Sequence, residues 1–223
     1  MALISEKDRN YLKDIFTKEL QNEVRLVLFT QKSGLFIPGA ECQYCKETGE
    51  LVKELGEISD KLKVEVYDFL SDEDVVKQYN IKRIPAIAVL GERDCGIRFY
   101  GIPSGYDFGS LIEDIIDISK RETKLSKEIK ERLSKIDKEV AIQVFVTPTC
   151  PYCPKMVRIA HQFAFENDYI NADMVEVIEF PQLANYYEVS GVPKTVINDK
   201  EEIVGAVSEI SFLESIESAI KSS

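Results

Sequence analysis

Two Cys-x-x-Cys pairs, each followed by a proline at one fixed distance, constrain this 223-residue chain more than any other feature. Cys42 precedes Pro85 by 43 residues, and Cys150 precedes Pro193 by 43. Tyr79 stands six positions before Pro85, as Tyr187 does before Pro193. Phe108 follows Gly101 by seven, as Phe212 follows Gly205. Three matched intervals imply a duplicated unit, and 223 residues suffice for two units of about 100 residues each.

The hydrophobic pattern repeats around these marks. Ser5 can cap a helix bearing Tyr11, Leu12, Ile15, Phe16 and Leu20, and the apolar run 24–30 (VRLVLFT) predicts a strand buried on both faces. A loop with Gly34, Pro38 and Gly39 leads to Cys42; a helix follows Cys45 and a strand covers 63–69. This β-α-β order implies parallel strands with a right-handed crossover. A short helix over 72–79, strands over 86–90 and 97–101, and a helix over 106–119 complete the unit. The second series has a Ser126-capped helix, a strand over 140–147 and a helix opened by Cys150-Pro-Tyr-Cys153. A strand over 174–178, a short helix over 181–187, strands over 195–198 and 202–205 and a helix over 212–220 follow. Thr30 lies twelve residues before Cys42 but Thr147 only three before Cys150, so the first unit carries nine additional loop residues. The charged run SKRETK at 119–124 places the boundary between units 1–120 and 121–223 and reads as a solvated face.

Two cysteines at this spacing on a first helical turn can form a disulfide, and the unpaired N–H groups there favour a thiolate on the first sulfur. Cys42 and Cys150 are therefore the expected nucleophiles, with Cys45 and Cys153 as resolving thiols. The bland alternatives are an inactive repeat or structural zinc, although four-cysteine zinc sites usually hold their pairs some 15–20 residues apart, against the 105 that separate Cys45 from Cys150. Ile84-Pro85 precedes an interior strand, where proline is awkward, and is a candidate cis bond. Pro85 and Pro193, with Ile84 and Val192 before them, are expected beside the dithiols, offering backbone groups to an extended substrate. Tyr44 and Tyr152, inside the two spacers, are candidate substrate contacts. Cys95 reads as a loop thiol in a turn over 91–96, and His161 as a surface or packing residue. No acid lies inside the strand preceding either dithiol, so none is assigned to proton transfer.

Composition limits the function classes. With 44% hydrophobic and 30% charged residues the chain should fold compactly, and its net charge of −11 disfavours nucleic acid or an anionic membrane as partner. Residues 1–12 lack a basic segment leading into an apolar run, and no stretch of about 18 apolar residues occurs, so a soluble, cytoplasmic protein is expected. Five cysteines are too few for a secreted disulfide framework, and abundant Lys, Glu and Ile suit a thermophile.

A β-α-β half carrying a helix-start dithiol, followed by a short helix and a hairpin-plus-helix half opening on proline, resembles thioredoxin and glutaredoxin. PTCPYCP is similar to the glutaredoxin dithiol. Two such units, each with an added N-terminal helix and an intact pair, resemble the protein disulfide oxidoreductases of thermophilic archaea and bacteria. The N-terminal domain of bacterial peroxiredoxin reductases is also similar, but usually keeps one working dithiol. The resemblance implies an α/β fold of two tandem thioredoxin-like units, each a central mixed sheet flanked by helices. It implies an enzyme that reduces, forms or isomerises protein disulfides, with the dithiols Cys42/Cys45 and Cys150/Cys153 in place of a separate cofactor or metal. After Pro193 the chain lacks the Gly-Gly and Asp that glutaredoxins use on glutathione. No Gly-x-Gly-x-x-Gly stretch is present, so electrons would come from a thioredoxin-reductase-like flavoprotein. The alternative reading is a peptide-binding holdase or structural module whose cysteines bind metal.

Overall fold

The computed structural model describes residues 3–31 and 42–221. The first unit comprises α1 (Glu6–Glu19), β1 (Val24–Thr30), α2 (Cys45–Gly56), β2 (Leu62–Asp68), α3 (Glu73–Gln78), β3 (Ala86–Leu90), β4 (Asp94–Tyr100) and α4 (Tyr106–Lys120). The second repeats that order as α5 (Lys127–Leu133), β5 (Val140–Val146), α6 (Cys153–Glu166), β6 (Ile170–Glu176), α7 (Pro181–Tyr186), β7 (Lys194–Ile197), β8 (Glu201–Val204) and α8 (Glu209–Lys221). Ser5 and Ser126 cap α1 and α5, each hydroxyl accepting the N–H three residues on. The additional loop residues of the first unit, with Gly34, Pro38 and Gly39, lie outside the described residues. No helix among the described residues is long and apolar enough to cross a membrane.

Each unit has the expected mixed pairing, with β1 parallel to β2 and antiparallel to β3, and β5 parallel to β6 and antiparallel to β7. The two sheets are not separate. β4 pairs in parallel with β6, so all eight strands form one sheet in the order β2-β1-β3-β4-β6-β5-β7-β8. Without that pairing each strand would be an edge with unsatisfied backbone groups, and joining them removes both edges. Alternate residues of β1 divide between two cores. Leu26 and Leu28 meet the face covered by α1, α2, α4, α5, α6 and α8, whereas Val27 and Phe29 meet the face of α3 and α7.

Two sequence expectations need correction. The second parallel strand spans Ile170–Glu176, about four residues earlier than the apolar run suggested, because Asn171 and Asp173 point to the less covered face and interrupt that run. Cys95 is a buried residue of β4, since the hairpin turn closes by Asp94. The charges of the run 119–124 are solvated as expected, with Arg121, Glu122 and Lys124 exposed, while the uncharged Ser119 and Thr123 are buried and the Ser119 hydroxyl accepts the Gln21 and Asn22 N–H groups.

The junction between units also holds charge. On α6, Arg158 pairs with Asp114 and Asp117 of α4, and Asp114 Oδ2 lies 2.6 Å from His161 Nδ1. His161 is fully buried, edge-on to Phe99 at 4.9 Å, and burial followed by the nearby Arg158 charge pulls its pKa down to about 3. It is a neutral packing residue.

Candidate active site

Both dithiols stand where a buried strand hands over to a helix. β1 ends at Thr30 ahead of the first, and β5 ends at Val146 ahead of the second. The second cysteine of each pair is the first helical residue, and the first cysteine occupies the turn before it, so α6 opens at Cys153 rather than at Cys150. Both pairs are closed as disulfides, with Cα–Cα distances of 5.4 and 5.5 Å. In the second pair Cys150 is 7% exposed and Cys153 is 0%. Cys153 N–H donates to Cys150 Sγ at 3.1 Å, the partner that would stabilise a Cys150 thiolate. In the first pair Cys45 is buried and Cys42 half-buried. Gln31 stitches that site together, its N–H donating to Cys45 Sγ at 3.4 Å and its Oε1 accepting Cys42 N–H at 3.0 Å.

Ile84-Pro85 and Val192-Pro193 are both cis. The strand registers put them at the dithiols: Phe29 pairs with Ala86 and Phe145 with Lys194, which sets Pro85 opposite Thr30 and Pro193 opposite Val146. Each proline carbonyl accepts the N–H of a left-handed glycine, Gly101 at 3.0 Å or Gly205 at 2.8 Å, closing the turn out of the hairpin. Ile84 and Val192 are half-buried beside them. Tyr152 is 67% exposed, whereas Tyr44 is half-buried.

The two dithiols share one edge of the sheet but do not meet. β1 and β5 run in the same direction four strand steps apart, which at a spacing of about 4.8 Å separates their ends by roughly 19 Å. The four cysteines therefore cannot ligate one ion, and neither dithiol can attack the other directly. Cys95 lies at the opposite end of β4, and burial pushes its thiol up to about 11, which keeps it protonated.

Sequence reasoning missed the buried acids. Asp68 and Glu176 are both buried at the ends of β2 and β6, each accepting the N–H three residues on, and each lies 26 residues beyond the first cysteine of its unit. That matched interval was the available signal. Asp107, in the first turn of α4, is 1% exposed with neither carboxylate oxygen hydrogen-bonded. The start of α4 is docked under the loop before Cys150, with Tyr106 N–H on Pro148 O at 3.0 Å. Gly105 is required there: its φ is +60°, and a Cβ would lie 2.1 Å from that carbonyl oxygen.

Burial, reinforced by Glu176, pushes the Asp107 pKa up to about 7. A raised carboxyl pKa means stability that is present below the ordinary value of about 4 and lost as pH rises through about 7. Asp107→Asn cannot ionise and escapes that loss. Urea midpoints of parent and variant should therefore lie close together near pH 4 and separate in the variant's favour by pH 8.

Comparison with known proteins agrees with this geometry. The thioredoxin domain family matches residues 140–218. A protein disulfide oxidoreductase from Aeropyrum pernix K1 superimposes with a TM-score of 0.89 at 34% identity, covering 98% of this chain and 94% of its own. The alkylhydroperoxide reductase AhpF of Enterococcus faecalis, as its C503A mutant, gives 0.84 at 25% identity over 95% of this chain and 98% of its own. Among curated relatives, NADH dehydrogenase of Bacillus subtilis is 26% identical over 166 residues, 74% of this chain; the match spans 30% of that relative's length. With tandem units, two closed Cys-x-x-Cys pairs and a 34%-identical relative matched almost end to end, the chain belongs to the tandem thioredoxin-like protein disulfide oxidoreductases.

Proposed function

We propose that this protein is a cytoplasmic dithiol carrier that takes electron pairs from a thioredoxin-reductase-like flavoprotein and passes them to disulfides in other proteins. The observation that carries the reading is the pair of helix-start dithiols, each set beside a cis-proline on one edge of a single sheet. Cys42 and Cys150, the more accessible thiols, attack the substrate disulfide. Cys45 and Cys153 resolve the mixed disulfide and release a reduced substrate. Half-buried Ile84 and Val192, the backbone at Pro85 and Pro193, and the spacer residues Tyr44 and Tyr152 supply the surface on which an extended segment lies. Relatives named as an alkyl hydroperoxide reductase subunit and an NADH dehydrogenase, which extend well beyond the matched part, support a reductase as the source of electrons.

Insulin reduction with dithiothreitol tests the exchange chemistry. Cys42→Ser/Cys45→Ser and Cys150→Ser/Cys153→Ser should each lose the turnover of the altered site, and the fourfold variant should fall to the rate without protein. Unchanged turnover in both double variants would sink the proposal. The reduction potential of each site then sets direction: values near roughly −270 mV fit a reductase, and values near roughly −120 mV an oxidant.

A further inference from the structure

Between the two dithiols runs a row of carboxyl groups with no cation paired to them among the described residues. Glu47 lies two residues beyond Cys45 on α2, with a buried Oε2 that has no hydrogen-bond partner. Glu179, from the second unit, reaches into the first: its Oε1 accepts Ile102 N–H at 2.6 Å, while its Oε2 is buried without a partner and lies within the field of Glu47. Ile102 follows Gly101, whose N–H is held by Pro85, so Glu179 stands behind the cis-proline turn of the first site. Glu179 N–H in turn donates to Glu176 Oε2 at 2.8 Å. Glu176, 2% exposed, has an unpartnered Oε1 and faces Asp107, beneath the loop that leads to Cys150.

We propose that Glu179, Glu176 and Asp107 form one proton store shared by the two dithiols, in which Glu179 of the second unit serves the first site. This rests on the dithiol-exchange reading above. Buried oxygens without donors or counter-charges are tolerated when the group is neutral, so Glu179, Glu176 and Asp107 are placed to hold protons. Burial raises Glu179 to about 7, with Glu176 and Glu47 adding to the effect against the lowering by Ile102 N–H, and Glu176 is raised as well.

When the site is reduced, a thiolate of the electron donor attacks Cys42 Sγ, the Cys42–Cys45 bond breaks, and its electron pair leaves on Cys45. Buried Cys45 takes a proton from the row, which is left one proton short. The donor's second thiol loses its proton to solvent and attacks the donor sulfur bound to Cys42, and the electron pair of the mixed disulfide leaves on Cys42. The donor is oxidised to a disulfide and the site is reduced by two electrons.

Infrared difference spectra between oxidised and dithiothreitol-reduced protein, with carboxyl-¹³C glutamate for assignment, test this directly. In Cys150→Ser/Cys153→Ser protein, reducing the first site should change a protonated-carboxyl band, and Glu179→Gln should remove that change. Glutamine keeps the acceptor for Ile102 N–H; if that variant fails to fold, Glu47→Gln must shift the same band. In Cys42→Ser/Cys45→Ser protein, reducing the second site should change a carboxyl band that Glu179→Gln also alters. A first arm with no carboxyl change, or one indifferent to both substitutions, overturns the proposal. A second arm indifferent to Glu179→Gln overturns the sharing. If the proteins still reduce insulin, the exchange reading survives either failure; if neither site does, that reading fails first.

Discussion

In a background lacking Cys42 and Cys45, Cys153→Ser should trap substrate as a mixed disulfide on Cys150 and lower turnover by at least about 10³-fold, below the roughly 10⁴ to 10⁶ for removing one member of a catalytic unit. Access decides which sulfur reacts. Cys150 is 7% exposed and Cys153 is 0%, so only one sulfur can meet a substrate sulfur without opening the helix start. The Cys153 N–H on Cys150 Sγ remains after substitution, because it belongs to the backbone, and it keeps the attacking thiolate stabilised. Attack thus survives while resolution is lost. The converse variant, Cys150→Ser, leaves a buried thiol with no approach and should trap nothing. Intact-mass analysis after mixing with an oxidised peptide distinguishes the two, and an adduct on Cys153 in place of Cys150 would reverse the assignment of roles.

What could be read beforehand followed from local chemistry. VRLVLFT is apolar enough to require cover on both faces and became β1, and VAIQVFV became β5, with Ala141 exposed and Gln143 half-buried at its start. Ile84-Pro85 was legible as a cis bond because proline is awkward before an interior strand, and the equal spacing pointed to Pro193 as its counterpart, where the structure has a second cis bond that was not foreseen. The merging of the sheets was not visible, since β4 to β6 pairing joins the units and leaves no interval inside either. Asp107 was hidden for a related reason. Aligned through Phe108 and Phe212, its counterpart is Ser211, so the repeat gave no mark, and an acid on an amphipathic helix looks solvated until a neighbouring unit covers it. Glu176 and Asp68 did share an interval, but they lie on the strand beside the site's own, where no acid was sought.

The largest loss of stability is expected from Arg158→Met, at about 3–5 kcal/mol by urea denaturation near neutral pH, the range for removing one partner of a buried ion pair. Arg158 is almost fully buried between α6 and α4, and its guanidinium faces Asp114, Asp117 and, at 3.4 Å, Glu113. Methionine fills much of the volume, so cavity formation contributes little; the cost comes from Asp114 and Asp117, left buried without a counter-charge. Two consequences separate this from simple loss of packing. First, burial already raises the Asp117 pKa to about 6, and losing the guanidinium raises the acids further, so the deficit should shrink as pH falls and they take up protons. Second, Asp117→Leu combined with Asp114→Asn in the Arg158→Met background should recover most of the loss. Asparagine keeps an oxygen for His161 Nδ1, and leucine needs no partner. A deficit unchanged by pH and not recovered by those substitutions would mean that Arg158 matters for its shape. The same junction carries the β4–β6 ladder and seats the start of α4 under Pro148, so a charge left unpaired there bears on the loop that presents Cys150.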